Sequence, residues 1–128
     1  MVLVDTSVFV DFFRGRSTPG FKELLMENKI MLSAYVRLEL LQGVRKEELH
    51  KMEYVLGGLI SIPHHERLFE QVEKTLQKIK GTGLTAGIVD LLLVGESILI
   101  NAPIYSFDKI FKKLSEKNIA QLYDPRAS

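Results

Sequence analysis

Short apolar runs that stop abruptly at a polar or turn residue alternate along this chain with longer segments of helical period, and this alternation most constrains the fold. Val2-Leu3-Val4 ends at Asp5, Ile30-Met31-Leu32 ends at Ser33, the run 59–62 ends at Pro63, and the run 103–106 is followed within two residues by Asp108. Short, largely apolar runs of this length suit strands buried on both faces. Between them, helices are expected at 6–13, from a cap at Ser17 or Thr18 to near Asn28, and from Ser33 to Val44. Further helices are expected at 46–56, at 64–80, from Thr85 to about Asn101, and from Asp108 to near Lys117. The segment 64–80 is the most regular, with Leu68, Phe69, Val72, Leu76 and Ile79 on one period. A last short strand is expected at 119–122. Strands separated by helices give an α/β fold: a three-layer α/β/α arrangement around a mostly parallel central sheet. A length of 128 residues allows one such domain, 1–128. Sheets of this kind bind ligands outside the carboxyl ends of their strands.

Composition enters chiefly through what it removes. A hydrophobic fraction of 46% with 26% charged residues excludes a disordered or low-complexity chain. The absence of cysteine excludes disulfides, zinc–thiolate sites, thiol nucleophiles and iron–sulfur clusters, and it fits a reducing, cytoplasmic compartment. The opening Met1-Val2-Leu3-Val4-Asp5 lacks the basic start of a signal peptide. The longest apolar stretch, Ile88–Ile100, contains Asp90 and Glu96 and is too short to span a bilayer, so no membrane role is expected. A net charge of +1 argues against nucleic-acid binding by bulk electrostatics alone. Gathering several acids into one pocket would nonetheless leave the remaining surface basic.

Four carboxylates sit where that pattern makes them informative. Asp5 and Asp108 both fall at carboxyl ends of expected strands and both begin helices, so each is either an N-cap or part of a site. Asp90 lies inside Ile88-Val89-Asp90-Leu91-Leu92-Leu93, and no basic residue shares its helix face. A lone buried carboxylate costs several kcal/mol unless it is paired, so Asp90 needs a cross-helix partner such as Arg37, a metal ion, or a raised pKa. Glu39 lies on a polar helix face and is either a solvated side chain or a ligand. Carboxylates held about 4 Å apart repel by roughly 4 kcal/mol per pair at an effective dielectric of about 20. A cluster of the four therefore requires a cation or a shared proton. Oxygen-only donors select Mg²⁺ or Mn²⁺, ions that serve phosphodiester hydrolysis.

These segments resemble those of the PIN-domain nucleases, and especially the small VapC-type toxins of toxin–antitoxin pairs. Val2-Leu3-Val4-Asp5-Thr6-Ser7 is similar to the family's opening strand and first acid. Arg37-Leu38-Glu39-Leu40-Leu41-Gln42-Gly43 resembles its second motif, Gly87-Ile88-Val89-Asp90-Leu91-Leu92 its third, and Tyr105-Ser106-Phe107-Asp108-Lys109-Ile110-Phe111 its fourth. The resemblance implies a metal-dependent endoribonuclease in which Asp5, Glu39, Asp90 and Asp108 hold Mg²⁺ or Mn²⁺, with Ser7 and Ser106 in support. It implies cleavage to a 5′-phosphate and a 3′-hydroxyl, a homodimer, and a cognate antitoxin that occupies the acidic pocket. Members often carry a further Asp where this chain has Ile110. That departure favours the alternative, a degenerate PIN-like module that binds RNA or protein without cutting.

Other signals carry less. Lys109, Lys112, Lys113 and Lys117 give one helix a basic face, which is either plain solvated surface or a guide for an RNA backbone, with Lys109, Lys112 and Lys113 as the contact candidates. His64-His65-Glu66 reads as a helix start, because adjacent helical residues point about a hundred degrees apart. The glycine-rich 81–87 segment follows a helix and lacks the lysine of a phosphate loop. Phe9, Phe12 and Phe13 read as core, and any surplus exposed ring among them would suit a dimer or antitoxin groove.

Overall fold

The computed structural model describes residues 1–126, so the last two residues of the expected 1–128 unit lie outside the described residues. Strand β1 (Val2–Val4) is buried at every position, as a central strand covered on both faces must be. Helix α1 (Thr6–Phe13) follows it, then α2 (Phe21–Met26), β2 (Ile30–Leu32) and α3 (Ala34–Gly43). A 3₁₀ turn at Lys46–Glu48 leads into α4 (Leu49–Gly57), and β3 (Ile60–Ser61), α5 (Leu68–Ile79), α6 (Ile88–Ile100), β4 (Ile104–Tyr105) and α7 (Lys109–Glu116) complete the order. The four strands form one sheet in the order β3-β2-β1-β4, and every pairing is parallel. This is the expected α/β architecture, a parallel sheet flanked by helices. Among the described residues, no helix is long and apolar enough to cross a membrane.

Strand β1 is the pivot. The chain steps from it to β2 on one side, and β4 returns to its other side, which places the topological switch of the sheet between β1 and β4. Leu3 and Val4, with no exposed surface, pack in a core that includes Phe9, Phe21, Ile104 and Phe111. Phe9, Phe12 and Phe21 meet as an aromatic cluster, with ring centroids of Phe12 and Phe21 4.5 Å apart, so the phenylalanines of α1 serve the core.

Several boundaries differ from expectation for local reasons. Helix α2 is capped by Gly20 in the left-handed region (φ 72°), not by Ser17 or Thr18. Helix α5 begins at Leu68 because the His65 ring accepts from the Arg67 N–H at 3.1 Å, which ties residues 64–67 into a turn instead of a helical start. Helix α6 is capped at Gly87, not Thr85, because the Asp90 carboxylate reaches back to the Gly87 N–H. The expected strand at 119–122 reduces to one parallel bridge between Ile104 and Leu122, on the outer edge of β4. Its hydrogen bonds run from Ile104 N to the Gln121 carbonyl and from Tyr123 N to the Ile104 carbonyl.

Candidate active site

Asp5 leaves β1 at the switch between β1 and β4. Its N–H donates to the Tyr105 carbonyl at 2.9 Å, so sheet bonding fixes its backbone. Its side chain is only 6% exposed. Although Asp5 occupies the N-cap position of α1, its carboxylate makes no capping hydrogen bond. Oδ2 instead accepts from the Ser106 hydroxyl at 2.7 Å and from the Ser7 hydroxyl at 3.0 Å. Each hydroxyl also accepts a backbone N–H from the segment that follows β4: Phe107 N to Ser7 Oγ at 3.0 Å, and Asp108 N to Ser106 Oγ at 2.9 Å. A hydroxyl that accepts from an N–H keeps its own proton to donate, so Ser7 and Ser106 tie the carboxylate to the main chain.

Asp108 does cap its helix, with Oδ1 accepting from the Ile110 N–H at 3.2 Å. Glu39 is exposed on α3, and the Thr6 hydroxyl donates to its Oε1 at 2.7 Å, a bond that links the start of α1 to α3. Asp90 is partly buried in the first turn of α6, where its Oδ2 accepts from Gly87 N at 3.3 Å. The Arg37 partner considered for Asp90 is not realised: among the described residues none of the four acids enters an ion pair. Burial pushes the Asp90 carboxyl above the usual aspartate range, and the Gly87 N–H opposes that shift. The negative fields of Asp5, Asp108 and Glu39 raise it further. Acids from four separate segments thus stand near enough for the charges of Asp5, Asp108 and Glu39 to act on Asp90.

The donor chemistry of the four acids suits a hard divalent cation. Every donor is an oxygen, and among the described residues no cationic side chain pairs with any of them. As they stand, no three such side chains among the described residues are gathered closely enough to enclose an ion. The fit therefore rests on donor type and on the unbalanced charge at Asp90. Lys109, Lys112 and Lys113 stand exposed on α7, directly after Asp108, while Phe111 and Leu114 bury its other face.

Two residues escaped the sequence. Thr6 holds Glu39, and the only available signal was a hydroxyl residue in the first turn after Asp5. Glu96 is 7% exposed in α6 and accepts from the hydroxyl of Ser33, which also caps α3 by accepting from Tyr35 N. Its signal was a second carboxylate in an otherwise apolar helix. A cleft at the opposite end of the sheet, lined by Met1, Glu23, Glu27, Lys29 and Tyr123 among others, contains none of the four acids.

The chain is thus an α/β protein with a parallel sheet, and Asp5 stands at the switch point between β1 and β4. The PIN domain family matches residues 2–117, and the chain belongs to that family. It is 29% identical over 107 residues to ribonuclease VapC19 of Mycobacterium tuberculosis, spanning 80% of this chain and 84% of that protein. It is likewise 29% identical over 128 residues to ribonuclease VapC1 of Methanocaldococcus jannaschii, spanning 96% of this chain and 87% of that protein. In fold it is similar to a chain in the crystal structure of VapBC2 from Rickettsia felis bound to a promoter DNA fragment, with a TM-score of 0.79 at 21% identity over 96% of this chain and 98% of that one.

Proposed function

We propose that this chain is a Mg²⁺- or Mn²⁺-dependent endoribonuclease of the VapC toxin kind, hydrolysing RNA phosphodiester bonds at Asp5, Glu39, Asp90 and Asp108. A cognate antitoxin restrains it, and it works as a homodimer in the cytoplasm. The observation that carries the reading is the Asp90 carboxyl, raised first by burial and further by the fields of Asp5, Asp108 and Glu39, with none of the four acids in an ion pair among the described residues. The names of its ribonuclease relatives, and the toxin–antitoxin complexes among its structural neighbours, support it.

The chain's own residues divide the work. Ser7 and Ser106 hold Oδ2 of Asp5, and neither occupies Oδ1. Thr6 holds one oxygen of Glu39, and the Ile110 N–H holds one oxygen of Asp108, so each of these carboxylates also presents a single free oxygen. A divalent ion held by these oxygens would neutralise charge on the phosphate and activate a water. The exposed lysines of α7 attract the RNA backbone towards the acids.

Incubation with an RNA pool tests the reading. Products bearing 5′-phosphates should form with Mn²⁺ or Mg²⁺ and vanish with chelator and in Asp5→Asn. The non-catalytic alternative draws on Ile110, which packs against the core where a further carboxylate would stand. RNA binding without any product would favour it.

A further inference from the structure

Phe107 lies between Ser106 and Asp108, yet its side chain takes no part in the acidic centre. Aromatic side chains usually go inside, but Phe107 is 45% exposed. It is not loose. Its N–H donates to Ser7 Oγ at 3.0 Å, and the next N–H donates to Ser106 Oγ at 2.9 Å. Its ring packs edge-to-face with Tyr105, centroids 5.6 Å apart and planes at 85°, and buried Tyr105 is itself anchored by its hydroxyl to the Pro19 carbonyl. A perpendicular contact covers at most one face of a ring, so Phe107 keeps an open face one residue from Asp108. On its other side α7 begins with exposed Lys109. A rigid aromatic ring beside lysines is how proteins take single-stranded nucleic acid: the cations track the phosphates and the ring stacks on an unpaired base.

We propose that Phe107 is the stacking platform for an unpaired RNA base next to the phosphate presented to the acidic centre. The proposal rests on the ribonuclease reading. Leu38 and Ile88, the exposed neighbours of Glu39 and Asp90, have no π face and cannot take this role.

The test compares two strands of equal charge. Fluorescence anisotropy measures binding of a mixed-sequence single-stranded RNA of about 12 nucleotides, within the usual single-strand footprint, and of an abasic strand of the same length. Ca²⁺ replaces Mg²⁺, and strand integrity is checked by gel. The wild type should prefer the base-bearing strand by about 5- to 150-fold. Phe107→Ala should bring that ratio close to one with the salt dependence unchanged, and Phe107→Trp should restore it. Phe107→Leu keeps the bulk without the ring and should behave as Phe107→Ala does, which covers a folding failure of the smaller variant. A ratio unchanged in Phe107→Ala or Phe107→Leu would overturn the platform and leave the ribonuclease reading standing. A ring reserved for a protein partner would give that same result. Wild-type binding to neither strand would overturn both.

Discussion

Asp5 is held by two hydroxyls that are themselves held by the main chain, so the carboxylate is oriented before any ligand arrives. Ser106→Ala removes the shorter of these bonds and the acceptor for the Asp108 N–H. It should weaken Mn²⁺ binding by about tenfold, the usual cost of losing a partner behind a ligand, as measured by metal titration. Glu96 offers a test away from the acidic centre. Burial lifts its carboxyl above the usual glutamate range, and the Ser33 hydroxyl opposes that shift. Because its pKa in the folded state exceeds the unfolded value of about 4.3, its charge costs nothing below the unfolded value. The charge lowers stability as pH rises from there through the folded value. Glu96→Gln keeps an acceptor for Ser33 and drops the charge, so it should be the more stable protein at neutral pH, with the gain fading below about pH 4. Urea unfolding across that range checks it; a variant less stable at neutral pH would show that the carboxylate charge itself is needed. Asp5, Asp90 and Asp108 were visible in the sequence because carboxylates at strand ends or inside apolar helices violate the local pattern. The Thr6–Glu39 and Ser33–Glu96 bonds were not, since they join residues 33 and 63 positions apart.

Elements follow the hydrophobic pattern where side chains do not compete with the backbone. The spans of β1, α1 and β2 were legible to the residue, and α3 within one, because apolar runs and the Ser33 cap agree there. The starts of α2, α5 and α6 were misread at the places where a left-handed glycine, an imidazole or a carboxylate decides the first turn. Helices α5 and α6 pack closely, and Gly95 is the reason they can. A Cβ there would lie 3.0 Å from Leu68 Cδ1 and 3.1 Å from Val72 Cγ2. Gly95→Val overfills that contact and should destabilise the fold by about 1–3 kcal/mol in denaturant unfolding, despite the better helix propensity of valine. Since α6 carries Asp90, the same variant should also weaken metal binding.

On the scale of the whole molecule, alternation predicted a parallel sheet but could not give the order β3-β2-β1-β4, which depends on which faces the helices cover. That order creates the switch beside β1, and with it the meeting of Asp5 and Ser106. The near-neutral net charge conceals an uneven surface: exposed lysines stand on α7, directly after Asp108. Lys112→Ala with Lys113→Ala should lessen the slope of log binding against log salt for single-stranded RNA by roughly 0.7 per lysine, while leaving Mn²⁺ affinity unchanged. The central claim, a divalent-metal centre built from four acids, is tested most directly by Mn²⁺ binding near neutral pH, followed by electron paramagnetic resonance on the wild type and Asp90→Asn together. Binding in the millimolar range or tighter by the wild type, lost in Asp90→Asn with the fold intact by circular dichroism, is the predicted result. Equal binding by both proteins, or none by either, would contradict it and return Asp90 to a structural role.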